Sequence, residues 1–484
     1  MRVLFLNPPF MGGRYSRTSR SPAITKSGTV YYPFWLAYSA GLTETDPQFE
    51  VKLVDAAAAG WGPNDVLRIA RDFQPRLVVI DTSTASIYSD TDLGTQIKQA
   101  IGDTFVVLTG THVTAVPEET LSSAPNIDAV AKGEHDATIL DLARTLARGG
   151  DPAHVPGLVV RSGGSICAGA DRPLIKDLDS LPFVSKTYQK HLDINQYFFS
   201  AAQYPMVMII TSRGCPYKCA WCVYPQTMHR EKFRARSAEN VVAEFDYIHS
   251  ELPAVNEIGI EDDLFVADRR RLRKICRLLI DRPYRIHWWC DTRTDLSFED
   301  MRLMKEAGCR LLIAGFESAS QETLDAIRKG TQADDAFTFC DSAQKAGLLI
   351  HGCFVFGQIG EDRQSMRGTL DLALKLPIDN AQFFPMMVYP GTAAYEWART
   401  NGYLKTTDYR QWLTPDGLHN SVVDTPDLKS EEVVAFCDRA RKEFYVRPRY
   451  VLKKALQSLT NLQEARRNLK GARKLMTHMA RAML

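Results

Sequence analysis

Two runs of short apolar strand segments, each alternating with amphipathic helical stretches, constrain this chain more than any other feature. Alternation of that kind builds parallel sheets covered by helices, so the expected class is α/β. In the first run, over residues 1–150, strands fall at 2–6, 51–54, 77–80, 105–108 and 129–131, with helical patterns at 34–42, 66–73, 92–101 and 137–148. That is the pattern of a doubly wound, Rossmann-like domain, in which ligands lie beyond the carboxyl ends of the strands. The second run covers 205–405, with strands at 207–211, 257–260, 285–289, 310–314, 348–356 and 380–386. Six such repeats fall short of a closed eight-stranded barrel, so an open, partial (β/α)6 TIM-like barrel is expected. Between the runs, 151–204 reads as a connector holding a hairpin at Gly163-Gly164; after them, 406–484 reads as a C-terminal helical region.

Composition narrows the function classes. Over 484 residues, 45% hydrophobic and 24% charged content excludes a disordered or fibrous chain. A net charge of +2 argues against a nucleic-acid binder working through bulk charge. The charge is uneven, however: residues 446–484 carry ten Lys and Arg against one acid, Glu464. In the same tail Leu462, Ala465, Leu469, Ala472, Met476, Met479 and Met483 recur at spacings of three and four. Such a seam suits a helix docked on the body with a solvated basic face, or one meeting an anionic substrate or a membrane surface. No stretch approaches the roughly 18 apolar residues of a membrane span. Met1-Arg2 runs into Val3-Leu4-Phe5-Leu6-Asn7-Pro8-Pro9 without the pattern of a secretory leader, so a cytoplasmic location is expected.

Of ten cysteines, three are compactly spaced: Cys215-Pro216-Tyr217-Lys218-Cys219-Ala220-Trp221-Cys222, directly after the first strand of the second run. Thiolates at Cys-x3-Cys-x2-Cys let one loop wrap a single inorganic centre. Structural zinc takes four ligands and closes its site, whereas three leave an open position. The other cysteines are scattered, and buried free thiol is the default for each.

This spacing in this place resembles the radical S-adenosylmethionine (SAM) enzymes, and the likeness continues over residues 205–405. Glu261-Asp262-Asp263-Leu264-Phe265 resembles the segment that meets the methionine ammonium of SAM. Gly315-Phe316-Glu317-Ser318 is similar to the ribose-contacting motif, and Phe356-Gly357-Gln358-Ile359-Gly360-Glu361 to the segment beside the adenine. The resemblance therefore implies a 4Fe–4S cluster on Cys215, Cys219 and Cys222, and SAM held by Asp262 or Asp263, Glu317, Ser318, Gly357 and Ile359. Which aspartate points inward is left open, because neighbours at a strand end face opposite ways.

A Rossmann-like domain ahead of such a barrel resembles the cobalamin-binding subfamily. The resemblance implies cobalamin contacts at the strand ends: Asn7 and Pro8, Thr82 and Ser83, Gly110, Thr111 and His112, Gly133 and Glu134. The nicotinamide fingerprint G-x-G-x-x-G is absent after the first strand. So is the Asp-x-His-x-x-Gly run that supplies a histidine to cobalt, which leaves the lower cobalt face to a loop residue, with 82–86 the candidate loop. His112 suits a loop histidine bonded to its surroundings better than a ligand. The long segment between Pro9 and Tyr32 carries Arg14, Arg17, Arg20 and Lys26; it is expected to fold over cobalamin or to reach an anionic substrate group.

The implied function is a cobalamin-dependent radical SAM C-methyltransferase acting on a small molecule, supplied with electrons by a flavodoxin or ferredoxin. Non-methylating ring closure, contraction or oxidation is the alternative within the family. An RNA-modifying methylthiotransferase is disfavoured, since residues 1–150 contain no cysteine and the tail reads as helical.

Overall fold

The structure, a computed structural model, describes residues 1–17, 22–460 and 465. Arg20 and most of the apolar seam beyond residue 460 lie outside the described residues.

The first sheet has seven strands: β1 (Arg2–Asn7), β2 (Glu50–Asp55), β3 (Leu77–Asp81), β4 (Phe105–Thr109), β5 (Ala129–Ala131), β6 (Leu158–Ser162) and β7 (Ser165–Ala168). Their order is β2-β1-β3-β4-β5-β6-β7, parallel through β5. β1 and β3 are almost continuously apolar because helices cover both faces of a parallel sheet. The hairpin placed in the connector is β6–β7. It pairs antiparallel with β5 and belongs to this sheet, where it protects an edge that would otherwise offer unpaired backbone groups.

The second sheet is β8 (Met206–Ile209), β9 (Glu257–Ile260), β10 (His287–Thr292), β11 (Cys309–Glu317), β12 (Leu349–Phe356) and β13 (Asn380–Pro385). All its pairings are parallel and follow chain order, which gives the expected six-stranded open barrel. Arg310 on β11 forks onto buried Glu257 on β9 at 2.8 and 2.9 Å, tying the amino-terminal end of the sheet together.

The helix Phe34–Glu44 lies between the two sheets, with nine residues buried. Just ahead of it and within it, Tyr32 and Tyr38 donate to the carbonyls of Met206 and Ile210, each at 2.9 Å. The first barrel strand is thereby fixed against the first domain. At the opposite side, helix Ser430–Tyr445 covers the barrel's open edge; the Tyr445 hydroxyl donates to Ala381 O at 2.7 Å. The C-terminal region is helical in Ser430–Tyr445 and Pro448–Thr460, preceded between 406 and 429 by one short helical turn, Tyr409–Trp412.

Candidate active site

The barrel encloses a cavity of about 700 Å³ at the carboxyl ends of its strands. Cys215, Cys219 and Cys222 are half-buried, outside any disulfide, in its wall. Their loop is set by Arg213, two residues earlier, which forks onto Asp136 of the first domain at 2.7 and 3.1 Å. It is also packed by Tyr217, whose ring faces the Arg293 guanidinium at 3.6 Å, while Arg293 donates to the carbonyls of Lys329 and Gly330. Burial pushes the Cys215 thiol up to about 11, so a positive centre must displace its proton for the thiolate to form. Among the described residues no three His, Cys, Asp or Glu side chains converge as on one metal ion.

The two neighbouring aspartates divide the work. Asp262 turns away from the cavity and accepts from the Thr211 amide, Thr211 Oγ1 and Ser212 Oγ, each at 2.6 Å. It is a structural clamp on the motif's approach strand. Asp263 faces the cavity; its Oδ2 accepts from the Gly214 amide at 2.9 Å, and its buried Oδ1 has no partner among the described residues. An oxygen so placed suits an ammonium group.

Glu317 also lines the cavity, with left-handed backbone at φ +64°. Its Oε1 accepts from Lys329 Nζ at 2.7 Å, and its buried Oε2 has no partner among the described residues. Burial alone would lower the Lys329 pKa, but Glu317 and then Cys219 outweigh it and hold the lysine charged. Ser318 bonds Thr369 at 3.1 Å, and Gly357 packs against Val433; with Ile359 they lie outside the cavity wall. Lys329, Arg293 and Tyr217 are wall residues that the sequence reading did not single out. Nothing in their local pattern marks them.

A second, narrower cleft of about 20 Å³ lies where the two domains meet. Thr82, Ser83, Gly110 and Thr111 from the strand ends form one side, and Val223, Tyr224 and Met228, just past Cys222, form the other. Gly110 is required here: at φ +119° a Cβ would sit 2.4 Å from the Thr82 carbonyl. His135 also faces this cleft, buried to 2% exposure. Tyr389 stands in the walls of both the cleft and the cavity.

Other expected strand-end contacts point elsewhere. Asn7 is consumed by Asp55 and Arg17, and the Pro8 carbonyl accepts from Arg17. His112 bonds Thr84 Oγ1 at 3.3 Å beneath the Tyr409 ring, and burial lowers its pKa to about 3. The Gly133 amide donates to Thr114. Glu134 lies in the domain interface, bonded by His229 at 2.8 Å and by Arg234. Arg17 is fully buried, paired with Asp90 at 2.7 Å, and closes one end of the cleft. Lys26 does reach the large cavity, where it pairs with Asp438.

Residues 209–373 match the Radical SAM superfamily, and residues 20–143 match the B12 binding domain. An uncharacterized methyltransferase, PH0819, of Pyrococcus horikoshii is 31% identical over 94% of each chain. The anaerobic magnesium-protoporphyrin IX monomethyl ester cyclase of Cereibacter sphaeroides is 23% identical over 86% of this chain and 66% of its own length. Among solved structures, the radical SAM methyltransferase TsrM of Kitasatospora setae, with cobalamin and a 4Fe–4S cluster bound, superposes with a TM-score of 0.69 at 17% identity, covering 92% of this chain and 89% of its own. The residues present fit these groups in their donor sets: three thiols, two carboxylate oxygens in the same cavity wall that have no partner among the described residues, and a strand-end cleft at Gly110 next door. The cofactors are a 4Fe–4S cluster, SAM and cobalamin, and the chain belongs to the cobalamin-dependent radical SAM enzymes.

Proposed function

We propose that this protein methylates an unactivated carbon of a small-molecule biosynthetic intermediate. When bound, the cluster and SAM supply a 5′-deoxyadenosyl radical and cobalamin supplies the methyl group. Cys215, Cys219 and Cys222 hold the cluster, Asp263 takes the SAM ammonium, and Glu317 takes ribose hydroxyls while Lys329 orients it. Thr82, Ser83, Gly110, Thr111 and His135 form the cobalamin side.

One observation carries this reading: Tyr389 is a shared wall between the cysteine cavity and the strand-end cleft. Carbon activation and methyl delivery must reach one substrate atom, and a common wall meets that proximity requirement. Lys26 and Arg441 share the single carboxylate of Asp438 in the cavity wall, a net positive end that favours an anionic substrate. The setting is cytoplasmic, with a flavodoxin or ferredoxin as electron donor.

Anaerobic reconstitution with iron, sulfide, SAM and cobalamin, followed by product analysis, tests the reading. S-adenosylhomocysteine together with a product heavier by one methylene supports it. The cyclase relative favours a second outcome, 5′-deoxyadenosine with an unmethylated, rearranged product, and that result would replace methyl transfer.

A further inference from the structure

Helix Pro448–Thr460 is amphipathic the wrong way round for a docked helix. Its polar side faces the protein: Lys453 pairs with Asp379 at 3.0 Å, Gln457 donates to Asp379 at 3.3 Å, and Tyr450 reaches Asn380. Its apolar side faces outward. Val451, Leu452, Leu456 and Leu459 are 55%, 62%, 56% and 83% exposed, and Val446 just before the helix is 51% exposed. Leu452, Leu456 and Leu459 recur at i, i+4 and i+7, so they form one continuous stripe. A contiguous outward apolar stripe marks a surface that something covers.

We infer that this helix is an interfacial anchor whose leucine face lies in the headgroup boundary of an anionic bilayer. Charge selects the occupant. The chain from 446 to 484 bears ten Lys and Arg and one acid, which an anionic surface attracts. A second copy docked through the same stripe would bring two such cationic ends together and be repelled. No helix among the described residues is long and apolar enough to cross a membrane, so the contact is peripheral. Val451 is both exposed and part of the cavity wall, which means the cavity reaches the surface at this helix. Resting on the methyl-transfer reading above, the substrate is then an amphipathic, membrane-dissolved molecule that enters beside the anchor.

The test is cosedimentation of the full chain with phosphatidylcholine vesicles, with and without about one-third phosphatidylglycerol. It needs neither SAM nor substrate, so it stands or falls separately from methyl transfer. Expected is partition onto the anionic vesicles alone, weakened by salt, and reduced at least about tenfold by Leu452→Gln with Leu456→Gln. Leu459→Gln, at the most exposed position, should weaken partition with an unchanged melting temperature, which guards against a folding artefact in the double variant. Absence of partition, or partition that the substitutions leave intact, overturns the inference. So does a concentration-dependent dimer dissolved by Leu459→Gln, which would place a second copy on the stripe. A melting temperature lowered by Leu459→Gln with partition unaltered would instead assign the stripe to residues 461–484.

Discussion

Glu134, beyond β5 of the first domain, accepts a hydrogen bond from His229 of the barrel at 2.8 Å, and the other ring nitrogen of that histidine lies 3.6 Å from Asp263. The carboxylate also takes Arg234 and lies 3.7 Å from Arg213. Burial alone would raise its pKa, but these cations outweigh burial and keep it ionised far below the usual range. A residue that sequence assigns to a cofactor edge is thus a charge that joins the two domains, linked through His229 toward Asp263. Glu134→Ala strands Arg234 and His229 without their anion. It is expected to destabilise the chain by about 3 kcal/mol in denaturant unfolding, with Glu134→Gln intermediate.

The contrast between Asp262 and Asp263 is directly testable. Asp263→Asn keeps the fold and should weaken SAM binding by roughly tenfold to a hundredfold in calorimetry, the worth of one charge-assisted hydrogen bond. Asp262→Asn loses acceptor capacity for three donors and should lower thermal stability instead. Equal effects of the two on SAM affinity would refute the division.

Replacing Cys215, Cys219 or Cys222 singly by Ala should abolish the iron–sulfur absorbance of reconstituted protein. The melting temperature of the unloaded chain should hardly move, because all three thiols are only half-buried in a cavity wall.

Gly110→Ala would drive a methyl group into the Thr82 carbonyl at 2.4 Å on a backbone geometry that only glycine adopts comfortably. The expected outcome is a loss of about 1–3 kcal/mol in stability, together with loss of cobalamin uptake, read from the corrin absorbance after gel filtration. Unimpaired cobalamin uptake would remove Gly110 from the cofactor's cradle.

Burial pushes the Glu361 carboxyl up to about 7 from its ordinary 4.5. The folded chain then binds this proton more tightly than the unfolded one. Its contribution to stability is complete below about pH 4.5 and is lost as pH rises through 7. Relative to Glu361→Gln, which cannot ionise, the native chain should lose up to about 3 kcal/mol between pH 4.5 and 7.5. Parallel pH–stability curves for the two would contradict this.

The strand and helix order of both domains was legible in the chain, because a covered parallel sheet demands uninterrupted apolar runs that local sequence displays. The three cysteines were legible for a similar reason: their chemistry depends on spacing within a single loop. What the sequence could not decide was direction and long-range pairing. Asp262 and Asp263 are adjacent, yet only the packing of Thr211 and Ser212 consumes one and leaves the other facing the cavity. Glu134 became an interface charge because Arg213, Arg234 and His229 arrive from residues far along the chain. Lys329 entered the site without any local motif, and Arg17 pairs with Asp90 at one end of the cleft. Local periodicity follows from backbone geometry and is written residue by residue; the fate of a buried charge depends on which distant partner the fold brings to it.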